Sequence, residues 1–74
     1  MFERITRNPD VLNGQPCIRN LRISVKRVLE LLAVYEVRAE LFKEYPELEE
    51  QDLKQALEFA AASLEDKIID LKTA

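Results

Sequence analysis

The sequence changes character at Ser24, and this change constrains the fold more than any other feature. Before Ser24, the turn-forming groups Asn8-Pro9-Asp10 and Asn13-Gly14 interrupt every apolar run after a few residues. Asparagine and glycine accept positive φ angles, and proline has no amide to donate to a sheet. The short apolar stretches between them suit one or two short strands, with a hairpin turn near Arg19-Asn20. We therefore expect the first 24 residues to form a non-helical arm with a β-hairpin.

Apolar residues fall at helical spacing directly after Ser24. Positions i, i+3, i+4 and i+7 of one helix face are Val25, Val28, Leu29 and Leu32. Ser24 is placed to cap this helix, because its hydroxyl can accept a hydrogen bond from the unpaired amides of the first turn. We expect the helix to end near Val34. A second, shorter helix is predicted from Arg38 to Glu44, with Leu41 and Phe42 as its apolar contacts, since Pro46 disfavours helix in the residue before it.

The third predicted helix is the longest, and it starts with acidic residues that complement the helix dipole. Its apolar stripe consists of Leu53, Ala56, Leu57, Ala60, Leu64, Ile68 and Leu71. No glycine or proline interrupts residues 50–72, which would span about 35 Å as one helix. A domain this small cannot cover such a helix alone, so its end is expected to contact another chain. The interface candidates are Phe59, Leu64, Ile68, Ile69 and Leu71. A break near Ser63 is the alternative.

These elements predict one mainly α-helical domain. Residues 1–24 form the hairpin arm, residues 25–62 a helical bundle, and residues 63–74 a C-terminal helical extension. At 74 residues, folding buries only about 60% of the surface that the unfolded chain exposes, and such domains commonly need added support. Cys17, the single cysteine, cannot close an internal disulfide, and one thiol is too few for a structural zinc site. We therefore expect self-association, as a homodimer.

The composition argues against catalysis. The chain has no histidine, which excludes serine–histidine and cysteine–histidine pairs, and its single glycine, Gly14, excludes a phosphate-cradling glycine loop. Cys17 is either a reactive thiol near Arg19 and Arg22 or a small core residue. The carboxylates of the helical region either lie on solvated faces or form a metal or acid–base site, and the first interpretation fits their helical positions better. We expect a binding protein without metal, cofactor or small-molecule substrate.

The predicted location is the cytoplasm. The N-terminus is charged where a signal peptide needs an apolar run. No apolar stretch approaches the roughly 20 residues that span a bilayer, so no membrane association is expected. A single unpaired thiol suits a reducing compartment.

The net charge of −3 hides a division between two regions. Residues 1–28 carry a net charge of +4 and residues 29–74 a net charge of −7. The division reflects either chance combined with solubility or two surfaces with different partners. The candidate DNA-binding residues are Arg4, Arg7, Arg19, Arg22, Lys26 and Arg27. Ion pairing of these residues with the acidic helices is the alternative. The acidic start of the third helix would repel a phosphate backbone.

Three strings resemble one prokaryotic family. They are Asn13-Gly14-Gln15-Pro16-Cys17-Ile18-Arg19-Asn20-Leu21-Arg22-Ile23-Ser24-Val25, Tyr45-Pro46-Glu47-Leu48 and Asp52-Leu53-Lys54-Gln55-Ala56-Leu57-Glu58-Phe59-Ala60. They resemble the pattern of domain-of-unknown-function family 433, whose members are proposed antitoxins. The resemblance implies a homeodomain-like three-helix fold of the helix-turn-helix type with a short N-terminal hairpin. It also implies a PIN-like nuclease toxin as partner and repression of the chain's own operon.

The chain departs from the family pattern at four positions. Asn13 and Asn20 stand where the family usually has glycine, and asparagine tolerates the left-handed conformation. Tyr35 replaces the glycine of the turn between the first two helices, and Val37 stands where a capping threonine or serine is common. A tyrosine adopts the left-handed conformation only at a cost in free energy, and a valine has no side-chain oxygen with which to cap a helix. We expect this turn to be altered, or the first helix to continue past Tyr35.

The leading hypothesis is an antitoxin-like module that neutralises a PIN-like nuclease toxin in a toxin–antitoxin system, with autoregulatory DNA binding. One alternative is a DNA-binding transcriptional regulator that uses the basic N-terminal segment. Another is an orphan structural dimerisation module.

Overall fold

The computed structural model describes residues 2–64, which form three helices and a small sheet. The strands are β1 (Ile5–Thr6) and β2 (Cys17–Ile18), and a single 3-10 turn lies between them at Leu12–Gly14. The helices are α1 (Val25–Val34), α2 (Arg38–Glu44) and α3 (Glu50–Ser63). The mainly helical fold with a short antiparallel N-terminal hairpin is therefore confirmed, and the bounds of α1 and α2 agree with the sequence pattern.

The arm makes its turn at Arg19-Asn20, as predicted. The amide of Leu21 donates to the carbonyl of Ile18 at 2.7 Å, and φ is +45° at Arg19 and +59° at Asn20. Positive φ at both central positions is the feature of the tight hairpin turn that matches strand twist. This turn leads to an isolated bridge between Cys17 and Ser24. The other partner of β2 is β1, which precedes it by a longer connection and pairs Ile5 with Ile18.

The two asparagines at the family's glycine positions adopt the left-handed conformation. Asn13 has φ +59° and ψ +31°, and Asn20 has φ +59°. Asparagine accepts this region at a lower cost than most residues, because its short side chain can form local hydrogen bonds. The tolerance expected from the sequence is confirmed at both positions.

The ends of α1 and the start of α2 follow from their capping residues. The Ser24 hydroxyl accepts a hydrogen bond from the amide of Arg27 at 3.0 Å, which confirms the predicted cap. At the other end, α1 stops at Val34, and Tyr35 has φ −92° and ψ +106°. Tyr35 thus avoids the left-handed conformation, and α1 does not continue past it. Val37 precedes α2 without a side-chain cap, as expected for valine.

The core lies where α1 packs on α3, with one residue from the sheet and two from the connection and helix between them. Its buried members are Ile18, Val25, Val28, Leu31, Leu41, Leu48, Leu53 and Ala56. Leu29 and Leu32, which share the predicted face of α1, are only partly buried, and Leu31 takes the more central place. Leu57, predicted in the stripe of α3, is 47% exposed.

Helix α3 ends at Ser63, where the sequence left a break open. Leu64 has φ −78° and ψ +133°, which is extended backbone. The Ser63 hydroxyl donates to the carbonyl of Phe59 at 2.8 Å, a local bond that competes with regular helical pairing. The predicted extension and its residues Ile68, Ile69 and Leu71 lie outside the described residues. None of the helices in the described part is long and apolar enough to cross a membrane.

Candidate functional site

Asp52, in the first turn of α3, is fully buried, although the sequence analysis placed the acidic residues of this region on solvated faces. Its carboxylate accepts hydrogen bonds from Arg4 Nη1 at 2.9 Å, Arg19 Nε at 3.0 Å and Arg19 Nη2 at 2.8 Å. The amide of Glu49 donates a fourth bond at 2.8 Å. We call Asp52, Arg4 and Arg19 the arginine cluster. Burial raises the pKa of Asp52, but the bonds from Arg19, Arg4 and the Glu49 amide outweigh it and hold that pKa below its ordinary value.

The arginine cluster fastens the arm to the start of α3. Arg4 Nη1 also donates to the Glu49 carboxylate at 2.6 Å, and the Arg4 amide donates to Gln55 Oε1 at 3.0 Å. Gln55 Nε2 in turn donates to the Glu3 carboxylate at 2.6 Å. Charges buried in this way are costly to leave unpaired, so loss of one partner destabilises a fold strongly. The cluster is therefore a structural element that positions the arm.

The six basic candidates from the sequence fall into two groups. Arg4 and Arg19 hold Asp52, and Arg27 donates to the Tyr45 hydroxyl at 3.3 Å and to Glu30 at 3.4 Å. These three arginines therefore form ion pairs with acidic residues of the helices, which was the alternative to DNA contact. The other three residues are exposed, and their side chains form no hydrogen bond or ion pair within residues 2–64; they are Arg7, Arg22 and Lys26.

An apolar groove lies between α1, the last two turns of α3 and the segment before β2. Its volume is about 330 Å³. Its apolar walls are formed by Pro16, Val25, Leu29, Phe59, Ala60 and Leu64. Lys26 is its one charged residue among the described residues that line it. A concave apolar surface with few polar groups is the usual form of a ligand or protein-binding site.

The arm also shapes one wall of the groove. The rings of Phe2 and Phe59 meet edge to face, with their centroids 5.4 Å apart and an interplanar angle of 81°. This is a favourable geometry for an aromatic pair. Because Arg4 fastens the arm two residues after Phe2, the arginine cluster helps to fix the ring of Phe59 in the groove wall.

The predicted interface residues lie only partly within the described chain. Phe59 is half-buried and Leu64 is 74% exposed, and both line the groove. The remaining candidates, Ile68, Ile69 and Leu71, are outside the described residues. The sequence analysis did not assign Leu29 to a surface, because it belongs to the same helical face as core residues.

Two exposed apolar residues beside the α1–α2 connection also escaped the sequence analysis. Val34 is 72% exposed and Val37 is 51% exposed. The sequence did contain an indication for Val37. A valine at the N-cap position of a helix cannot cap it, so this side chain has no evident role in its own helix.

The described residues contain no arrangement suited to metal binding, since no group of three or more carboxylate, thiol or imidazole side chains comes together in residues 2–64. Cys17 is buried, and its thiol donates to the carbonyl of Gln15 at 3.2 Å. The interpretation of Cys17 as a small core residue is therefore confirmed. The surface of the described residues offers apolar area, exposed carboxylates and unpaired cations.

Comparison with known proteins places the chain in a family without assigning it an activity. No curated protein and no solved structure matches it. The family model described as "Protein of unknown function (DUF433)" matches residues 5–60. This match covers both strands, α1, α2 and most of α3. It includes Asp52 and Arg19 of the arginine cluster but not Arg4, and all of the described groove-lining residues except Ser63 and Leu64. The chain belongs to the DUF433 family.

Proposed function

We propose that the chain is an antitoxin-like protein-binding module that neutralises a PIN-like nuclease toxin. The observation that carries the proposal is the amount of large apolar surface left in solvent. The exposed fractions are 72% for Val34, 51% for Val37, 47% for Leu57 and 74% for Leu64. Large apolar side chains that are left in solvent are candidates for contact with another protein.

Two parts of this surface are available to partners. One is the apolar groove with Leu64 at its rim, and the other is the edge formed by Val34 and Val37. Helical domains often receive partners through such apolar grooves and edges. We assign the nuclease to the Val34–Val37 edge, which lies outside the groove lining.

The charge distribution supports a basic partner. Residues 29–74 carry a net charge of −7, and the exposed carboxylates of α2 and the connection to α3 include Glu40, Glu44 and Glu47. A nuclease surface that binds nucleic acid is basic, so the attraction would speed encounter more than it would raise the final affinity.

The three-helix arrangement after a short hairpin also supports a homeodomain-like classification, which the family resemblance implies.

The test is co-expression with the product of the adjacent gene, followed by purification of the complex and a toxicity assay. We expect a stable complex and relief of toxicity. Val34→Ser should lower the yield of the complex, because it removes apolar contact area. Ala33→Ser changes the preceding residue, which is also exposed, and should leave the yield unchanged. If no complex forms and toxicity persists, the proposal is wrong.

DNA binding is the second candidate, and the unpaired cations favour it. Arg7, Arg22 and Lys26 are exposed and have no ion-pair partner in the described part of the chain. Binding of the chain's own promoter fragment should weaken steeply with salt, with a logarithmic slope of roughly −3 per copy if all three contact phosphates. Absence of any band shift at low salt would remove this candidate.

A further inference from the structure

The groove has the chemistry of a site for an acidic, apolar segment. Its walls are apolar, and its one charged lining residue among those described, Lys26, is exposed and forms no ion pair within residues 2–64. No carboxylate is among the described lining residues. An occupant that buries aliphatic side chains and brings a carboxylate to Lys26 would satisfy both parts of the site.

The chain itself carries such a sequence. The residues that follow Leu64 lie outside the described residues; their sequence is Glu65-Asp66-Lys67-Ile68-Ile69-Asp70-Leu71. This stretch has three large apolar residues, Ile68, Ile69 and Leu71, and three carboxylates, Glu65, Asp66 and Asp70.

We propose that the groove is the docking site for a second copy of this chain, and that the copy inserts residues 65–71. Leu64 lies at the rim of the groove, so residues 65–71 begin beside the groove of their own copy. In a two-fold symmetric pair, the segment of each copy enters the groove of the other copy. The exchange is then closed, and neither groove is left free. The pairing also supplies the additional apolar burial that a domain of this size needs.

The proposal assigns a task to each of the two apolar surfaces. The groove joins the copies, and the Val34–Val37 edge remains open for the nuclease. Self-association therefore does not depend on the proposed function, and either property can fail without the other.

The first test changes the groove in the full-length chain. Ala60 lines the groove on α3, so Ala60→Glu fills it and brings a negative charge towards the acidic segment. Ala61→Glu is the matched control, because Ala61 is the next residue of α3, is exposed, and is not among the lining residues. Circular dichroism checks that both variants remain helical. Sedimentation velocity over a range of concentrations measures association.

The expected result is a dimer for the unchanged chain and for Ala61→Glu. We expect the dissociation constant of Ala60→Glu to rise by at least about tenfold, as for loss of a central apolar contact. A chain that stays monomeric at the highest soluble concentration overturns the proposal. So does a dimer of Ala60→Glu that is as stable as that of the control.

The second test asks whether the segment crosses between copies. Ile68→Asp disables the segment and leaves the groove intact, whereas Ala60→Glu disables the groove and leaves the segment intact. Each variant alone should be impaired. A mixture should form heterodimers, because the intact segment of one copy meets the intact groove of the other. If the mixture associates no better than either variant alone, the exchange between copies is wrong.

The two proposals fail separately. A monomeric chain that still captures the product of the adjacent gene removes the exchange and leaves the proposed function standing. A dimer with the expected variant behaviour that captures no nuclease does the reverse.

Discussion

The two ends of α3 use opposite chemistry for opposite purposes. At its start, the charged side chain of Asp52 is fully buried and held by Arg4 and Arg19 from the arm. At its end, the apolar side chain of Leu64 is 74% exposed beside a groove. In a typical helix of a globular protein, charged side chains are exposed and leucine side chains are buried. In this protein the charges complete the fold, and the uncovered apolar end is the part available for association.

Removal of the buried carboxylate is the strongest way to break this comparison. Asp52→Ala should lower the free energy of unfolding by about 1.5–3 kcal/mol, because it removes the charged acceptor of Arg4, Arg19 and the Glu49 amide, while both guanidinium groups stay partly exposed to water. Urea denaturation measures the change. Glu50→Gln, which breaks the exposed ion pair with Arg38, is the control and should cost less than about 1 kcal/mol. Equal effects of the two changes would show that the arginine cluster is no more than a surface feature.

Acid titration tests the contribution of the Asp52 carboxylate to stability without a substitution. The pKa of Asp52 is lower in the folded protein than its ordinary value of 3.8, so the unfolded chain binds a proton more readily. The stabilisation is therefore complete well above pH 3.8 and is lost as the pH falls through the folded-state value. Glu3, whose pKa is lowered by its hydrogen bond from Gln55, adds a change in the same direction.

Urea denaturation between pH 7 and pH 3 checks this titration. The fall in stability should be less steep in Asp52→Asn, because this variant has no carboxylate to protonate at that position. Identical pH profiles for the two proteins would contradict the assignment to Asp52.

A smaller effect is expected at the Val34–Val37 edge, where stability and binding should change in opposite directions. Val37→Asp supplies the missing cap of α2 and should raise the free energy of unfolding by roughly 0.5–1 kcal/mol. It also removes an exposed apolar side chain, so it should weaken capture of the nuclease. Val37→Ala separates the two effects, since alanine caps poorly but also loses contact area. A Val37→Asp variant that is more stable and binds equally well would remove Val37 from the interface.

The smallest effect on stability is expected at the free end of α3. Leu64→Ser should change the free energy of unfolding of the isolated chain, at concentrations too low for association, by less than about 0.5 kcal/mol, because the side chain is mostly solvated already. Its effect should appear instead in the concentration dependence of association. A large loss of stability in the dilute chain would show that Leu64 belongs to the core of its own copy, and the contrast between the ends of α3 would disappear.

Features that depend on near neighbours in sequence were predicted well. The cap at Ser24, the turn at Arg19-Asn20, and the bounds of α1 and α2 all follow from residues within about four positions of one another. The left-handed asparagines and the uncapped start at Val37 belong to the same class. The length of the third helix was predicted less well, because nothing in the sequence near Ser63 is a strong helix terminator.

Features that depend on distant contacts were not predicted. The six basic residues looked equivalent in sequence, yet Arg4 and Arg19 reach a carboxylate that lies 48 and 33 positions away, while Arg7 and Arg22 do not. The acidic start of α3 looked uniformly solvated, yet Asp52 is buried and its neighbour Glu50 is exposed. Helical periodicity places residues on a face, but it does not say which part of that face another element will cover.

The sequence by itself determined the change from turns to helices at Ser24, the three helices found in residues 2–64, and the family, because periodicity, capping and turn chemistry are local properties. Only the tertiary structure decided which charges belong to the fold and which apolar residues remain open to a partner. The physical reason is that burial is a property of the assembled elements. The arm covers the start of α3 and packs Phe2 on Phe59 nearer the end, but it leaves Leu64 exposed. This arrangement gives Asp52 and Leu64 their opposite environments.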